Sequence, residues 1–484
     1  MAKILFISDN YLNESLGIMC LSSYLKINNH KVDIALLSEY KRVDDLLKFI
    51  KEISCDIIGF SVMTPQASAF QHISKIIKER THHTIIWGGP HCTLMPDETS
   101  KDGYVDIICV GEGEESLLEL MNRIDARKAF DDIPNLMIKK KDRWIRNELC
   151  NLEADLDKYP FPDRALYYNR YPFLRNFLLK KFVTMRGCPY DCFYCFAPNL
   201  KEIYKGKGAL VRRHSVEYVI AEIESVISKY PTKVLHFSDD TFNTNKDWVM
   251  NFLASYKENI ALPFTCNITV VGIDEEMVKG LKAAGCSGVA FGLESGIESV
   301  RFKVLNKKFK NLDFIKTSRL LHRYKIKFII SMLFCLPNET IENVVESICF
   351  ANLMKPWGIR ASILKIFKGT KLAKVLLERG LCEAVGEFTY QPKDLHNNHS
   401  KIKNILWAGN LLIKFPMLLP FAKKILYFPA HCLAVPLIML SYWTDVIYHK
   451  IPLVQALGYF WSARKVFIKG LASEQADIYR KIAP

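Results

Sequence analysis

Short apolar runs punctuate the first 110 residues: Ile4 to Ile7, Val32 to Leu36, Ile57 to Val62, Thr84 to Trp87 and Ile107 to Val110. Runs this short, without strict apolar–polar alternation, suit strands buried on both faces of a parallel sheet. Helix-period segments separate them, and the alternation of strand and helix predicts a doubly wound α/β sheet over residues 1–140. A second series begins near residue 181 with Phe182 to Met185, Val234 to Phe237, Phe264 to Ile268, Val289 to Gly292, Phe328 to Leu333 and Ser362 to Ile366. Between the first two of these, Val216, Val219, Ile220, Ile223, Val226 and Ile227 recur at helical spacing behind Ser215, an amphipathic helix with a serine N-cap. About six βα units over residues 181–385 predict a partial (β/α)6 barrel. Such barrels bind ligands at the carboxyl ends of their strands.

Two stretches carry no such pattern. Residues 141–180 read as a connector whose prolines, Pro160 and Pro162, favour an extended path. Residues 386–484 read as a helical, hydrophobic and basic region. Within it, residues 425–444 contain no Asp, Glu, Lys or Arg, and about twenty uncharged residues are what a bilayer span needs. Pro429, His431 and Pro436 argue against a plain spanning helix. A monotopic helix pair over residues 405–444, with Tyr427, Phe428, Tyr442 and Trp443 at the interface, is the expectation; a soluble helical cap on the barrel or a dimer interface is the alternative.

Charge sharpens this picture only in part. A net charge of +15 implies an anionic partner, a membrane surface or nucleic acid. Met1-Ala2-Lys3 leads directly into the first strand with no secretory signal, and most of the 14 cysteines are scattered singly, so a reducing cytoplasm, at the inner face of a membrane, is the expected location.

The exception to that scatter is Arg186-Gly187-Cys188-Pro189-Tyr190-Asp191-Cys192-Phe193-Tyr194-Cys195. Three thiolates at C-x3-C-x2-C spacing can hold three irons of a four-iron, four-sulfur cubane. The fourth iron then lacks a protein ligand, and an open metal position is a place for chemistry. A zinc site missing its fourth ligand is the competing reading, but no nearby C-x2-C or H-x3-H completes one. In the first sheet the informative residues follow each strand: Ser8-Asp9-Asn10, Ser61 to Gln66, Gly88-Gly89-Pro90-His91 and Gly111-Glu112-Gly113-Glu114. In an open α/β sheet ligands sit beyond those ends.

Cys188, Cys192 and Cys195, with Tyr194 before the third, resemble the signature of the radical S-adenosylmethionine (SAM) enzymes. The resemblance implies a 4Fe-4S cluster whose open iron chelates SAM, reductive cleavage to methionine and a 5′-deoxyadenosyl radical, and a flavodoxin- or ferredoxin-like electron donor. It further implies that Asp239 or Asp240 meets the SAM ammonium or sulfonium and that Glu294, followed by Ser295, holds the ribose hydroxyls. Leu333 to Thr340 and Phe367 to Thr370 match the turns near the adenine, although Asn338 stands where the family more often has Gly. GFSVMTPQ, WGGPHCTLMPDE and DIICVGEGEESLLEL resemble the cobalamin-binding domain found ahead of many such barrels. Asn10, Ser61, Thr64, Gly88, Gly89, His91, Gly111 and Glu112 are its candidate cofactor contacts. No D-x-H-x-x-G occurs, so the implied cobalamin is base-off without a histidine ligand. The branch most resembled includes the anaerobic magnesium-protoporphyrin cyclase and cobalamin-dependent methylases. The leading expectation is cobalamin-dependent methylation of an unactivated carbon in a small, lipid-like molecule, with nucleic acid disfavoured. The alternatives are a radical cyclase or rearrangement, a methylthiotransferase acting on RNA through a second cluster on Cys20, Cys55 and Cys92, and a membrane-bound sensor that binds cobalamin and SAM without turnover.

Overall fold

The computed structural model describes residues 1–9, 14–141, 143–385, 387–392 and 399–427, which divide into two units. Among the described residues the first comprises Met1–Asn176 with Tyr204–Ala209, and the second Phe177–Ile203 with the chain from Leu210 onward.

The first unit is built on seven strands: β1 (Lys3–Ser8), β2 (Lys31–Leu36), β3 (Ile57–Ser61), β4 (Thr84–Gly88), β5 (Ile107–Cys109), β6 (Leu136–Lys140) and β7 (Arg143–Arg146). Their order is β2-β1-β3-β4-β5-β6-β7. The first five are parallel, with Ile4 opposite both Val32 and Ile57 and Ile86 opposite Ile107, and their apolar runs are buried. The strand order reverses at β1, so the crossovers to β2 and to β3 leave on opposite faces. That reversal opens a crevice at the carboxyl ends of β1 and β3. β6 and β7 add an antiparallel hairpin to the sheet. The apolar pattern did not reveal it, because Lys139, Lys140, Arg143 and Arg146 are the charges that protect an outer strand pair from further pairing.

In the second unit, six parallel strands run in chain order: β8 (Leu179–Phe182), β11 (Val234–Phe237), β12 (Phe264–Asn267), β13 (Cys286–Glu294), β14 (Lys327–Phe334) and β15 (Gly358–Ile363). Between the first two lies a short antiparallel pair, β9 (Met185–Arg186) and β10 (Arg212–Arg213). Right-handed crossovers that always step the same way put every helix on one face of the sheet. Phe182, Leu235, Phe237, Phe264, Cys266, Val289, Phe291, Phe328, Ile330 and Ile359 supply that face with one continuous core. Ser215 and Asn245 cap two of the helices, each accepting a bond of 3.0 Å from the third residue on. β8 begins at Leu179 rather than Phe182 and β15 at Gly358 rather than Ser362. Lys180, Lys181 and Arg360 interrupt the apolar runs that would have marked those starts.

The described part of the tail belongs to this unit. In the helix Ile405–Lys414, Ile405, Ala408 and Leu412 are buried in the barrel core. The Asn410 amide donates to the Ile359 carbonyl at 2.9 Å and accepts from its N–H at 2.8 Å, closing backbone bonds that the edge strand β15 leaves open. Residues 405–427 thus pack along the barrel edge instead of forming the first half of a surface-bound helix pair. Residues 428–444 lie outside the described residues. No helix among the described residues is long and apolar enough to cross a membrane.

Candidate active site

The three-cysteine loop leaves β9 through Gly187, whose φ is +84°. A Cβ there would stand 2.3 Å from the Leu210 carbonyl oxygen, so the chain can enter the loop only on a glycine. The loop is pinned from outside: the Phe193 N–H donates to Leu305 O at 2.9 Å, the Leu372 N–H to Phe193 O at 2.8 Å, and the Asn306 amide to Asp191 O at 2.8 Å. Cys188, Cys192 and Cys195 are all partly buried. Burial raises all three thiol pKa values, with Cys195 pushed up to about 11, and Cys195 also feels the other two. The Tyr190 N–H and Thr241 hydroxyl at Cys188, the Lys307 ammonium at Cys192 and the Ala197 N–H at Cys195 pull the other way. Thiols held in this manner keep their protons until a soft metal displaces them. Among the described residues no three His, Cys, Asp or Glu side chains converge on one point as ligands of a single ion would. A cubane does not ask for that, because each thiolate binds a different iron. The three-thiol loop therefore fits such a cluster.

Around it stand the strand ends. Asp239, after β11, is only 1% exposed. Its carboxylate accepts from the Thr184 N–H at 2.6 Å, the Thr184 hydroxyl at 2.8 Å and the Met185 N–H at 3.1 Å. It therefore ties β11 to the segment entering the cluster loop and is committed to protein donors. Arg213 backs this corner, donating to Thr184 Oγ1, Phe242 O and Thr244 Oγ1 at 2.9 to 3.1 Å over the Trp248 ring. Asp240 carries no such set of bonds and is exposed, and its charge acts on the Cys188 and Cys195 thiols.

After β13, Glu294 takes the left-handed conformation, with φ +65°. Its Oε1 accepts from the Tyr194 hydroxyl at 2.9 Å and from Lys307 Nζ at 2.9 Å. Both Glu294 and Lys307 are nearly buried, so the pair is held away from screening water. Lys307 is the group that the sequence reading missed. It lies in the lysine-rich stretch Asn306 to Lys310, which reads as a solvated loop, and its position is set by Arg301. That fully buried guanidinium donates to Phe309 O at 3.1 and 3.2 Å, and the Lys307 N–H donates to Arg301 O at 2.8 Å. Ser295 turns inward, 3.4 Å from Ser347 Oγ and accepting from the Ile297 N–H at 3.2 Å, so its side chain shapes the turn.

The site in the first unit is made of backbone. Ser61 ends β3, Thr64 opens a single 3-10 turn, Gly88 ends β4, and Gly89 precedes the helix Pro90–Leu94. Gly111 and Glu112 follow β5. Gly111 has φ +92°, and a Cβ on it would lie 1.9 Å from the Tyr204 hydroxyl, which accepts from the Glu112 N–H at 2.9 Å. The Gly111 N–H donates to Thr93 Oγ1 at 2.9 Å and the Asn135 amide to Glu112 O at 2.9 Å, which fixes the turn. Asn10 lies outside the described residues. His91 is not the solvated loop side chain that a lone histidine suggests. It is fully buried, 3.3 Å from Thr64 Oγ1, and burial lowers its pKa to about 4. The turns after β1, β3, β4 and β5 offer no other imidazole among the described residues. Exposed Met63, glycines and hydroxyls at one end of the sheet fit a large flat ligand that needs no axial side chain.

A parallel α/β sheet with a backbone-lined crevice, joined in one chain to an open barrel carrying a three-thiol loop, fits an iron–sulfur protein with a second, large and flat cofactor. Residues 2–121 match the family described as B12 binding domain, and residues 182–351 match the Radical SAM superfamily. An uncharacterized methyltransferase of Pyrococcus horikoshii is 27% identical over 374 residues, covering 76% of this chain and 79% of its own. The anaerobic magnesium-protoporphyrin IX monomethyl ester cyclase of Cereibacter sphaeroides is 21% identical over 325 residues, 65% of this chain and 52% of its own; the chain spans about half of that relative. The structure of the radical SAM methyltransferase TsrM from Kitasatospora setae, with tryptophan and a SAM analogue bound, superposes with a TM-score of 0.66 at 21% identity, over 80% of this chain and 78% of that one. The chain thus joins a B12 binding domain to a domain of the Radical SAM superfamily, and these domains imply a 4Fe-4S cluster, SAM and cobalamin as its cofactors.

Proposed function

We propose that this enzyme transfers a methyl group to a carbon of a small molecule, with Cys188, Cys192 and Cys195 holding the cluster and the strand-end turns of the first sheet holding cobalamin. When bound, the cluster and SAM supply the 5′-deoxyadenosyl radical, and cobalamin supplies the methyl group. What the chain itself contributes is positioning. Glu294 offers a carboxylate to paired hydroxyls and Lys307 an ammonium to a carboxylate, side by side, matching the ribose and the amino-acid end of SAM. Asp240, rather than Asp239, is the carboxylate available to the SAM cation. Tyr194 keeps Glu294 oriented by its hydroxyl bond, and Arg301 keeps Lys307 in place. A flavodoxin- or ferredoxin-like protein would deliver the electron.

The observation that carries this reading is the presence, in one chain, of a three-thiol loop and a B12 binding domain whose described strand-end turns are lined by backbone, together with the likeness to the methyltransferase of Pyrococcus horikoshii over three quarters of the chain. The second-cluster alternative finds no support in the thiols it needs. Cys20 lies within the helix Leu16–Ile27, and Cys55 precedes β3 while Cys92 follows β4, which puts those two thiols at opposite ends of the parallel sheet. Anaerobic reconstitution with cobalamin, SAM, a reductant and a bacterial metabolite pool is the test. Formation of both 5′-deoxyadenosine and S-adenosylhomocysteine is the expected result; 5′-deoxyadenosine alone would point to a radical reaction without methyl transfer and overturn the proposal.

A further inference from the structure

The proposed chemistry leaves the tail of the chain unused. Among the described residues, fourteen large apolar side chains are exposed; ten are dispersed along the sequence and four lie within residues 415–427. The helix Ile405–Lys414 stops where it does because Pro416 and Pro420 have no N–H to continue it. The chain turns instead through a short 3-10 segment, Pro416–Phe421, and enters a second helix, Ala422–Tyr427. This turn has two sides. Leu418 and Leu419 pack against the barrel core, while Phe415, Met417 and Phe421 are 49%, 78% and 54% exposed. Single exposed apolar residues are ordinary, but several gathered on one proline-bounded tip mark an interaction surface.

Charge decides what that surface meets. From residue 395 to residue 444 the chain has five lysines, Lys401, Lys403, Lys414, Lys423 and Lys424, and no Asp, Glu or Arg. All but Lys401 are exposed. Two of the lysines sit against aromatic rings, Lys414 Nζ 4.1 Å from the Trp357 centroid and Lys401 Nζ 4.3 Å from that of Tyr427. The helix Ile341–Leu353, on which the turn packs, brings two exposed acids, Glu342 and Glu346, and Lys423 binds Glu342 at 2.7 Å. A second copy of this face would set lysine against lysine. Residues 428–484 carry six Lys and Arg to three Asp and Glu, so their charge does not complement the lysines either. An anionic bilayer matches both halves of the surface, with an acyl boundary for the apolar tip and phosphates for the ammonium groups beside it.

We infer that this turn docks the protein on an anionic lipid bilayer, with Phe415, Met417 and Phe421 entering the acyl boundary and Lys403, Lys414, Lys423 and Lys424 meeting lipid phosphates. The contact is one turn deep and is not a span. It does not depend on the methyl-transfer reading, and either can fail without the other. The test uses the full, cluster-loaded chain and co-sedimentation with two kinds of vesicle, phosphatidylcholine alone and phosphatidylcholine mixed with phosphatidylglycerol. Wild type should sediment with the mixed vesicles and far less with the neutral ones. In Met417→Glu/Phe421→Glu the partition into mixed vesicles should fall by about tenfold or more, with iron content and elution volume unchanged; where that pair fails to fold, Phe415→Ser/Met417→Ser replaces it. Absence of sedimentation with the mixed vesicles overturns the inference, as does equal sedimentation with both kinds. Equal sedimentation of wild type and variant also overturns it, by placing the contact elsewhere in the chain. A dimer in solution that the variant dissolves overturns it in favour of a second copy as the occupant.

Discussion

The two cofactor sites of this chain are built in opposite ways. The barrel presents side chains: three thiols, Asp240, and the Glu294–Lys307 pair with the Tyr194 hydroxyl bonded to it. The first sheet presents main chain: Gly111 packed on Tyr204, Ser61, Gly88 and Gly89, with its histidine withdrawn into the core. A small charged cosubstrate and a metal cluster require ligand atoms that only side chains supply. A large flat ring needs an unobstructed surface, which backbone provides. Substitutions should therefore act by removing ligand atoms in the barrel and by adding atoms in the sheet.

The largest effect is expected at the cluster. Cys192→Ala leaves two thiols for three irons, so iron content should collapse and SAM cleavage fall to background, both measured on anaerobically reconstituted protein. Next comes Lys307→Met. Removing the cation leaves the Glu294 carboxylate nearly buried without its partner, at a cost of about 3 kcal/mol, read from the midpoint of urea unfolding; SAM affinity should drop while cobalamin absorbance is retained. If Lys307→Met weakens cobalamin instead, the division between the sites is wrong. In the first sheet, Gly111→Ala places a methyl group against the Tyr204 hydroxyl in a left-handed backbone and should cost about 2 kcal/mol. Cobalamin retention after gel filtration should fall, with iron content preserved. The smallest effect is expected from Cys55→Ala and Cys92→Ala, whose buried thiols carry no cluster in this account. Iron per chain should match the wild type, and a loss of iron would restore the second-cluster alternative.

The same contrast explains what could be read from the chain alone. β11 coincides with its apolar run, and the starts of β3, β4, β5 and β12 are where theirs predicted, because strands buried on both faces must be apolar. β8 and β15 were displaced because Lys180, Lys181 and Arg360 interrupt their apolar runs, and the β6–β7 hairpin was hidden by its lysines and arginines; charge within a strand erases the hydrophobic signal. The three-thiol loop stood out because three cysteines share a tight spacing, whereas Glu294 and Asp240 came into view only through the family resemblance. Lys307 was not legible, since a lysine among lysines reads as solvent-facing until the fold brings Glu294 to it. The sequence left Asp239 and Asp240 as alternatives, and only the fold shows that Thr184 and Met185 donate to the Asp239 oxygens.

A four-iron cluster on Cys188, Cys192 and Cys195 should keep one iron open for SAM. Electron paramagnetic resonance of the anaerobically reduced protein, recorded with and without SAM, tests this most directly. A four-iron signal whose g values shift on adding SAM, and that is lost in Cys192→Ala, is predicted. A signal indifferent to SAM, or a protein that takes up zinc and no iron, would contradict it.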